Sequence, residues 1–173
     1  ILPLLVEGQP GALHHGFPDG SDKKVSAAWE KIYQYQHEQP GVHELMQELR
    51  QVVDEYPDRM LVGENSDVSY HGNGNNELHM VFNFPLMRTN RLTPAWVRAN
   101  QKERLGSLPP GAWPCNTLNN HDTPRLRTKF GDATNDEAIA RTSAALMLTL
   151  RGTPFLYNGE EIGMSDYYLP DIN

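Results

Sequence analysis

The stretch Met60-Leu61-Val62-Gly63-Glu64 is a short apolar run that ends on a carboxylate. A continuous apolar run of this length is typical of a strand that is buried on both faces, as the strands of parallel sheets are. A second candidate strand, Trp113 to Leu118, leads into the polar cluster Asn119-Asn120-His121-Asp122. Together the two stretches predict parallel strands that carry acidic side chains at their carboxyl ends.

The residues before and between these stretches predict a helix and another strand. Apolar residues at spacings of three and four indicate a helix between Pro40-Gly41 and Pro57, through Val42, Leu45, Met46, Leu49, Val52, Val53 and Tyr56. After a Gly/Asn-rich loop at 71–76, a period-two alternation predicts a strand through Leu78, Met80, Phe82 and Phe84.

The second half of the chain continues the alternation. A helix is predicted from Thr93-Pro94, because Thr is a plausible cap and Pro fits the first helical turn. Another helix is predicted from near Asn135 and Asp136, and a last strand from Thr153 to Tyr157. The order of elements predicts an α/β architecture with a parallel sheet, in a doubly wound form or a barrel.

The acidic residues favour the barrel. In a (β/α)8 barrel the active site gathers at the carboxyl ends of the strands, and Glu64 and Asp122 both stand at such ends. Each carboxylate alone also fits a solvated or helix-capping role. As a pair in different environments, one carboxyl group can donate a proton while the other stays anionic, which is the logic of glycosidic bond cleavage.

The length and the chain ends indicate a piece of one domain. The 173 residues match one ordinary domain or part of a larger one. Residues 1–40 form a loop-rich lead-in with a turn signal at 16–20 and a short helical candidate at 25–35, and residues 41–173 carry the βα repeats. The start at Ile1 and the end at Asn173, without a helix stop, lead us to expect a fragment.

Composition excludes several classes of function. The formal charge is −7, with 15 Lys and Arg against 22 Asp and Glu and no basic run, so a nucleic-acid partner is not expected. The single cysteine, Cys115, excludes an internal disulfide and a Cys-x-x-Cys site. No apolar run is long enough for a membrane span, and the compartment stays open with the cytoplasm slightly favoured.

Three ordered motifs carry a family resemblance. Val62-Gly63-Glu64, Asn119 to Arg125 and Gly152 to Met164 resemble motifs of the α-amylase superfamily, glycoside hydrolase family 13. Within the family, the Gly-Glu-Glu-Ile-Gly-Met ending and the strand at 77–84 look most like the α-glucosidase, oligo-1,6-glucosidase and trehalose synthase branch. The resemblance implies that residues 1–173 belong to one catalytic (β/α)8 barrel and represent approximately strands five to eight with their helices.

The resemblance also implies roles for single residues. Glu64 matches the general acid/base and Asp122 the carboxylate that favours the oxocarbenium-like transition state, so both are expected to be catalytic. His121 and Arg125 match substrate-binding positions. The expected substrate is an oligosaccharide or α-glucoside in a retaining hydrolysis or transglycosylation. The motif from Gly152 to Glu161 is expected to shape the last strand and the floor of the site.

The family's nucleophile is missing from the chain. In the family it is an aspartate in a Gly-Phe-Arg-x-Asp motif, and no Arg-x-Asp triplet occurs among the 173 residues. Gly16-Phe17-Pro18-Asp19 lacks the arginine and a preceding strand, so we reject Asp19 as its equivalent. Because a retaining hydrolase needs a nucleophile about 5 Å from the acid, the chain alone is expected to be inactive and to need the remaining half of the barrel.

Other kinds of site find little support in the sequence. The seven histidines show no ligand spacing for a metal, so no metal site and no cofactor are expected, with calcium left open for the full-length protein. No phosphate-binding glycine loop precedes a helix. The alternative from another class is a non-catalytic amylase-like scaffold or interaction domain, against which the retention of Glu64 and Asp122 argues.

Overall fold

A computed structural model describes residues 39–90 and 92–168 of the chain. The strands are β1 (Val62–Gly63), β2 (Met80–Val81), β3 (Cys115–Asn116) and β4 (Thr153–Pro154). The α-helices are α1 (Val42–Asp54), α2 (Phe84–Arg88), α3 (Pro94–Ser107), α4 (Leu126–Phe130) and α5 (Asp136–Thr149). Short 3₁₀ helices lie at Val68–His71 and Glu160–Ile162.

The strands pair in parallel and in chain order. β1 pairs with β2, with Val62 opposite Met80, and β3 pairs with β4, with Cys115 opposite Thr153. A parallel bridge between Phe82 and Cys115 joins the two pairs. Helices alternate with these strands, as the sequence predicted, and all four carboxyl ends therefore face the same edge of the sheet.

The strands are shorter than predicted, and the second strand ends earlier. The alternation through Phe84 predicted a strand to that residue, but Phe84 begins α2. The reason is local, because Pro85 cannot extend the ladder and the Asn83 side chain accepts from the Leu86 N–H (3.4 Å), which starts a helix. The prediction was wrong for Phe84. The short helix α4 was not predicted either.

Burial differs between inner and outer strands. Both residues of β2 and β3 are buried, whereas β1 is half-buried and Pro154 of β4 is exposed. Burial on both faces, which the apolar run at 60–63 predicted for β1, is therefore wrong for that strand in the described part of the chain. Among the described residues the inner strands have a neighbouring strand on each side, and the outer strands have one on a single side.

The predicted helix boundaries are confirmed. α1 begins after Gly41, which takes a left-handed conformation with φ of 85°, and ends before Pro57. The Thr93 hydroxyl accepts from the Trp96 N–H (3.3 Å) at the start of α3, with Pro94 in the first turn. α5 begins at Asp136 directly after Asn135.

Two apolar cores hold the described region together. One lies between α2, α4, α5 and the end of β3 and consists of Leu86, Leu118, Leu126 and Met147. The other lies beneath α1 and consists of Tyr70, Leu78 and Val81, with Val42, Met46 and Leu61 packed against it. The sequence predicted α1 from its apolar stripe, yet part of that stripe stays exposed, namely Leu45, Leu49, Val52 and Tyr56.

A buried amide network connects the two inner strands to α3. Asn83 donates to Asn100 (2.8 Å) and to Asn116 (3.1 Å), and Gln101 donates to Asn116 (3.0 Å). Asn116 in turn donates to the Arg151 carbonyl before β4 (3.1 Å). Because these amides satisfy one another, they fix the register of β2 and β3 at little desolvation cost.

Among residues 39–90 and 92–168, no helix is both long and apolar enough to cross a bilayer. The predicted turn at 16–20, the helical candidate at 25–35 and Asp19 lie outside the described residues.

Truncation of the larger core should destabilise the chain strongly. Leu86 is fully buried, so we expect Leu86→Ala to lower the free energy of unfolding by about 2 to 5 kcal/mol. Leu148 is 64% exposed, and Leu148→Ala should change the stability by about 0.5 kcal/mol or less. Urea unfolding followed by circular dichroism measures both, and equal effects would contradict this assignment of the core.

A histidine on α1 should make stability depend on pH. The hydrogen bond that His43 Nδ1 donates to the Glu77 carboxylate (2.8 Å) raises the pKa of His43 above 6.5. A raised folded-state pKa stabilises the folded chain fully below pH 6.5, and this stabilisation is lost as the pH rises through the folded value. Burial lowers the pKa of His71, His79 and Lys129, and a lowered folded-state pKa makes stability rise with pH, so these groups oppose the effect of His43.

We therefore expect the urea midpoint of the wild type, relative to that of His43→Gln, to fall as the pH rises from 6.5 to 8. The effect should be small, since the His43 side chain is 44% exposed. Glu48→Gln, an exposed change on the same helix, serves as the control. An unchanged pH dependence in His43→Gln would assign the effect to another group.

Candidate active site

The carboxyl ends of β1 and β3 bring three predicted site residues together. One carboxylate oxygen of Glu64, one ring nitrogen of His121 and one carboxylate oxygen of Asp122 lie within 4.8 Å of one another. Glu64 follows β1 directly, and the other two follow β3 after a short turn. All three side chains are exposed at the rim, where solvent or a ligand can reach them.

An open pocket of about 350 Å³ lies beside this trio. Aromatic rings form part of its wall: Phe82 stacks with Phe84 (centroids 5.4 Å apart) and meets Phe155 edge-on (4.9 Å). The other lining residues include Glu64, Asn120, His121 and Tyr157. An apolar wall with polar groups at the rim is the usual composition of a small-molecule site.

The backbone alone positions Glu64. Within the described residues its side chain makes no hydrogen bond or ion pair, so its place follows from the chain on either side. Gly63 precedes it, and a Cβ at that position would collide with the Leu78 side chain. After it, the Asn65 carbonyl accepts from the Phe82 N–H of the neighbouring strand (2.8 Å).

The loop that carries Asp122 is held from below by a buried amide. Asn119 is 1% exposed and donates to Glu160 Oε1 (2.9 Å) while accepting from the Leu126 N–H (3.2 Å), with the amide oriented to satisfy both groups. The Asn120 side chain accepts from the Asp122 N–H (3.1 Å). His121 Nε2 lies 3.5 Å from Asp122 Oδ1. The loop is thus anchored while its tip stays exposed.

Glu160 supports this anchor and was assigned by sequence only to the structural last motif. Its Oε2 accepts from the Tyr157 N–H (2.8 Å), which leaves Oε1 for Asn119. Burial raises the pKa of Glu160, an effect that the Tyr157 hydrogen bond and the Arg125 charge oppose. The contact between Asn119 and Glu160 joins the loop after β3 to the loop after β4, and no local sequence signal indicates it.

Arg125 points to the loop after β4. Its Nη1 donates to the Asn158 carbonyl (2.6 Å), and the guanidinium carbon lies 4.8 Å from the centre of the Tyr157 ring. The backbone N–H of Arg125 donates to Asp166 Oδ2 (3.0 Å). In the described structure Arg125 therefore braces residues 157–159 and is not among the pocket-lining residues. Substrate contact by Arg125 stays a prediction.

The thiol of Cys115 is a further group to consider as a nucleophile. Burial raises the pKa of the Cys115 thiol to about 11, so this cysteine stays protonated near neutral pH and is not a nucleophile.

The trio of Glu64, His121 and Asp122 offers donor types that also suit a divalent transition metal. The sequence led us to expect no metal, and that expectation stays a prediction.

The fold and the site define a parallel α/β protein with paired carboxylates at the strand ends. The sequence profile of the alpha amylase catalytic domain matches residues 12–171, and the chain belongs to this family. The membership confirms the resemblance in the three motifs. The relatives of this chain include an alpha-glucosidase and an oligo-1,6-glucosidase, so the class of protein is that of the alpha-amylase family.

Individual relatives point to the predicted branch. An alpha-glucosidase of Pediococcus pentosaceus is 36% identical over 77% of this chain and 28% of its own length. An oligo-1,6-glucosidase of Parageobacillus thermoglucosidasius is 34% identical over 92% of this chain and 31% of its own. The chain thus spans about three tenths of the length of these relatives.

A solved structure of the same family has a similar fold over most of this chain. The alpha-glucosyl transfer enzyme XgtA superimposes with a TM-score of 0.70 and 31% identity, over 80% of this chain and 27% of its own. The structural neighbours are TIM-barrel enzymes of the amylase family, and the four parallel strands described above are consistent with a part of such a barrel.

Removal of the buried amide should loosen the Asp122 loop. Asn119→Ala deletes the acceptor of the Leu126 N–H and the donor to Glu160, so we expect faster hydrogen exchange at Leu126 and at Asp122. Asn158→Ala changes an exposed side chain on the same rim and should leave both amides unchanged. Exchange measured by NMR tests this, and equal protection in Asn119→Ala would show that the amide is not the anchor.

Proposed function

We propose that the chain contributes the acid/base half of a retaining α-glucosidase-type active site in a (β/α)8 barrel, of which it forms strands five to eight. The observation that carries the proposal is the convergence of Glu64, His121 and Asp122 within 4.8 Å at the carboxyl ends of parallel strands. Membership in the alpha amylase catalytic domain family supports the choice of chemistry. The substrate is an α-glucoside or an oligosaccharide.

Glu64 acts as the general acid and then as the general base. It is exposed at the rim of the pocket, where a leaving-group oxygen can come within hydrogen-bond distance. The protonated carboxyl donates its proton to the glycosidic oxygen as the C–O bond breaks. In the second step the carboxylate takes a proton from the water or acceptor hydroxyl that attacks the glucosyl group.

Asp122 stays anionic and favours the positively charged transition state. Its carboxylate lies beside Glu64 and His121, which line the pocket, so that a sugar ring bound there contacts Glu64 and His121 and reaches Asp122 at the rim. Hydrogen bonds to sugar hydroxyls that strengthen as charge develops lower the barrier rather than only the dissociation constant. The aromatic wall offers an apolar surface for the face of the ring.

The covalent step needs a further carboxylate. Retention requires a nucleophile about 5 Å from the acid, and no Arg-x-Asp triplet occurs in residues 1–173. We propose that this aspartate lies outside residues 1–173, in the remaining half of the barrel. The exposed apolar residues of the outer elements support this arrangement, because α1 and the segment at 156–168 offer surface for further barrel elements.

Substitution of the two carboxylates tests the roles. In the longest chain that the coding sequence encodes, Glu64→Gln should lower kcat on α-linked glucose disaccharides by about a hundred- to ten-thousand-fold, which is the usual contribution of a general acid. Asp122→Asn should lower kcat to a similar extent. Glu103→Gln, an exposed change on α3, should leave kcat unaltered.

A trapping experiment identifies the nucleophile. A fluorinated glucosyl fluoride that forms the glycosyl-enzyme faster than it is hydrolysed should label an aspartate outside residues 1–173. A label on Asp122 would contradict its proposed role. Residues 1–173 alone should release no glucose, and activity in this chain that Glu64→Gln removes would contradict the proposed inactivity. Inactivity of the longest chain on every α-glucoside would favour a non-catalytic scaffold.

A further inference from the structure

Arg104 is a buried cation that lies next to the strand ends of the site. It belongs to α3, is 7% exposed and is the most deeply buried arginine or lysine side chain in the described ranges. Its Nη1 donates to the Ser66 carbonyl (2.6 Å), and its Nη2 donates to the carbonyls of Val81 (2.8 Å) and Phe82 (3.0 Å). Neither the sequence motifs nor the mechanism above uses this residue.

The two terminal nitrogens of Arg104 serve two different strands. Nη1 reaches the segment after β1, two residues beyond Glu64, while Nη2 reaches the end of β2. The Nε atom is buried without a hydrogen-bond partner among the described residues, so these two nitrogens make all the hydrogen bonds of the guanidinium there. The planar group thus ties two strand ends together at a fixed separation.

This tie matters because Glu64 has no side-chain support of its own. The described structure shows no hydrogen bond to its carboxylate, so the position of that group depends on the backbone from Gly63 to Ser66. Arg104 holds one point of this segment, and the Phe82 N–H holds another through the Asn65 carbonyl (2.8 Å). Both anchors lead to Phe82, the residue directly after β2, since the Phe82 carbonyl also accepts from Arg104.

We propose that Arg104 is the positioning residue of Glu64. This inference rests on the proposed function and adds to it the residue that positions the Glu64 carboxyl group relative to the pocket. The guanidinium acts through the backbone and does not touch substrate. A lysine at this position keeps the charge but offers a single nitrogen, which cannot reproduce the two-sided contact.

The test compares two substrates that differ in their need for an acid. An α-linked glucose disaccharide needs protonation of its leaving oxygen, whereas fluoride leaves α-glucosyl fluoride with little help from a proton donor. The variants are Arg104→Lys and Arg104→Gln in the longest encoded chain, with Arg98→Lys, an exposed arginine of the same helix, as the control. The trapping reagent counts active sites, so that kcat refers to folded enzyme.

We expect Arg104→Lys to lower kcat on the disaccharide about ten- to hundred-fold, the loss that a displacement of about 1 Å produces, and to affect the fluoride much less. Arg98→Lys should change neither. Equal losses on both substrates per titrated site, or no loss, would overturn the proposal, because a merely structural role does not distinguish the leaving groups.

Glu64→Gln separates this inference from the proposed function. If Glu64→Gln does not slow the disaccharide selectively, the proposed function fails, and the inference fails with it. If Glu64→Gln is selective and Arg104→Lys is not, only the positioning role fails.

Hydrogen exchange gives a readout that does not depend on turnover. If Arg104→Gln does not fold, Arg104→Lys carries the test, since it keeps the charge and most of the volume. In Arg104→Lys the Asp67 N–H, which donates to Asn65 Oδ1 (2.9 Å), should exchange faster than in the wild type. Unchanged protection of this amide would show that Arg104 does not fix the segment after Glu64.

Discussion

The contact between Phe82 and Cys115 decides whether the candidate site exists. β1 with β2, and β3 with β4, are two separate parallel pairs, and this bridge joins them. Glu64 belongs to the first pair and Asp122 follows the second, so without the junction their side chains would share no rim. The Cys115 thiol, which donates to the Val81 carbonyl (3.2 Å), and the amide pair of Asn83 and Asn116 (3.1 Å) strengthen it.

Buried polar groups around this junction fix the strand ends, the strand register and the loop after β3 more precisely than apolar packing alone. Arg104 ties the ends of β1 and β2, the Asn83 network holds β2, β3 and α3 in register, and Asn119 ties the loop after β3 to Glu160. The amides are paired with one another or with neighbouring groups, which keeps their desolvation cost low, whereas Arg104 leaves its Nε unpaired among the described residues. The candidate side chains Glu64, His121 and Asp122 are exposed at the rim, and the buried groups hold the backbone that carries them.

The exposure of apolar residues differs between the inner and the outer elements of the described region. The inner strands β2 and β3 are buried, while apolar residues on α1 and on the segment after β4 are exposed, including Leu45, Val52, Ile162 and Tyr167. The proposed contact of these residues with further elements of the barrel accounts for their exposure. It agrees with a chain that spans about three tenths of the length of its relatives.

The sequence by itself determined the order of helices and strands and the placement of Glu64 and Asp122 at strand ends. Tertiary contacts decided which buried groups hold the backbone around them. Helix caps such as Thr93-Pro94 and the runs before Glu64 and Asn119 are local signals, so the alternation of helices and strands and the meeting of Glu64 with Asp122 followed from them. The continuation of the second strand to Phe84 was wrong, because the Asn83 cap and the start of α2 fall within the alternating pattern. The roles of Arg104 and Glu160, and the turn of Arg125 towards Asn158, depend on partners 22 to 41 residues away or in another loop. Periodicity and spacing report only on neighbours along the chain, so only the folded structure brings such groups into contact.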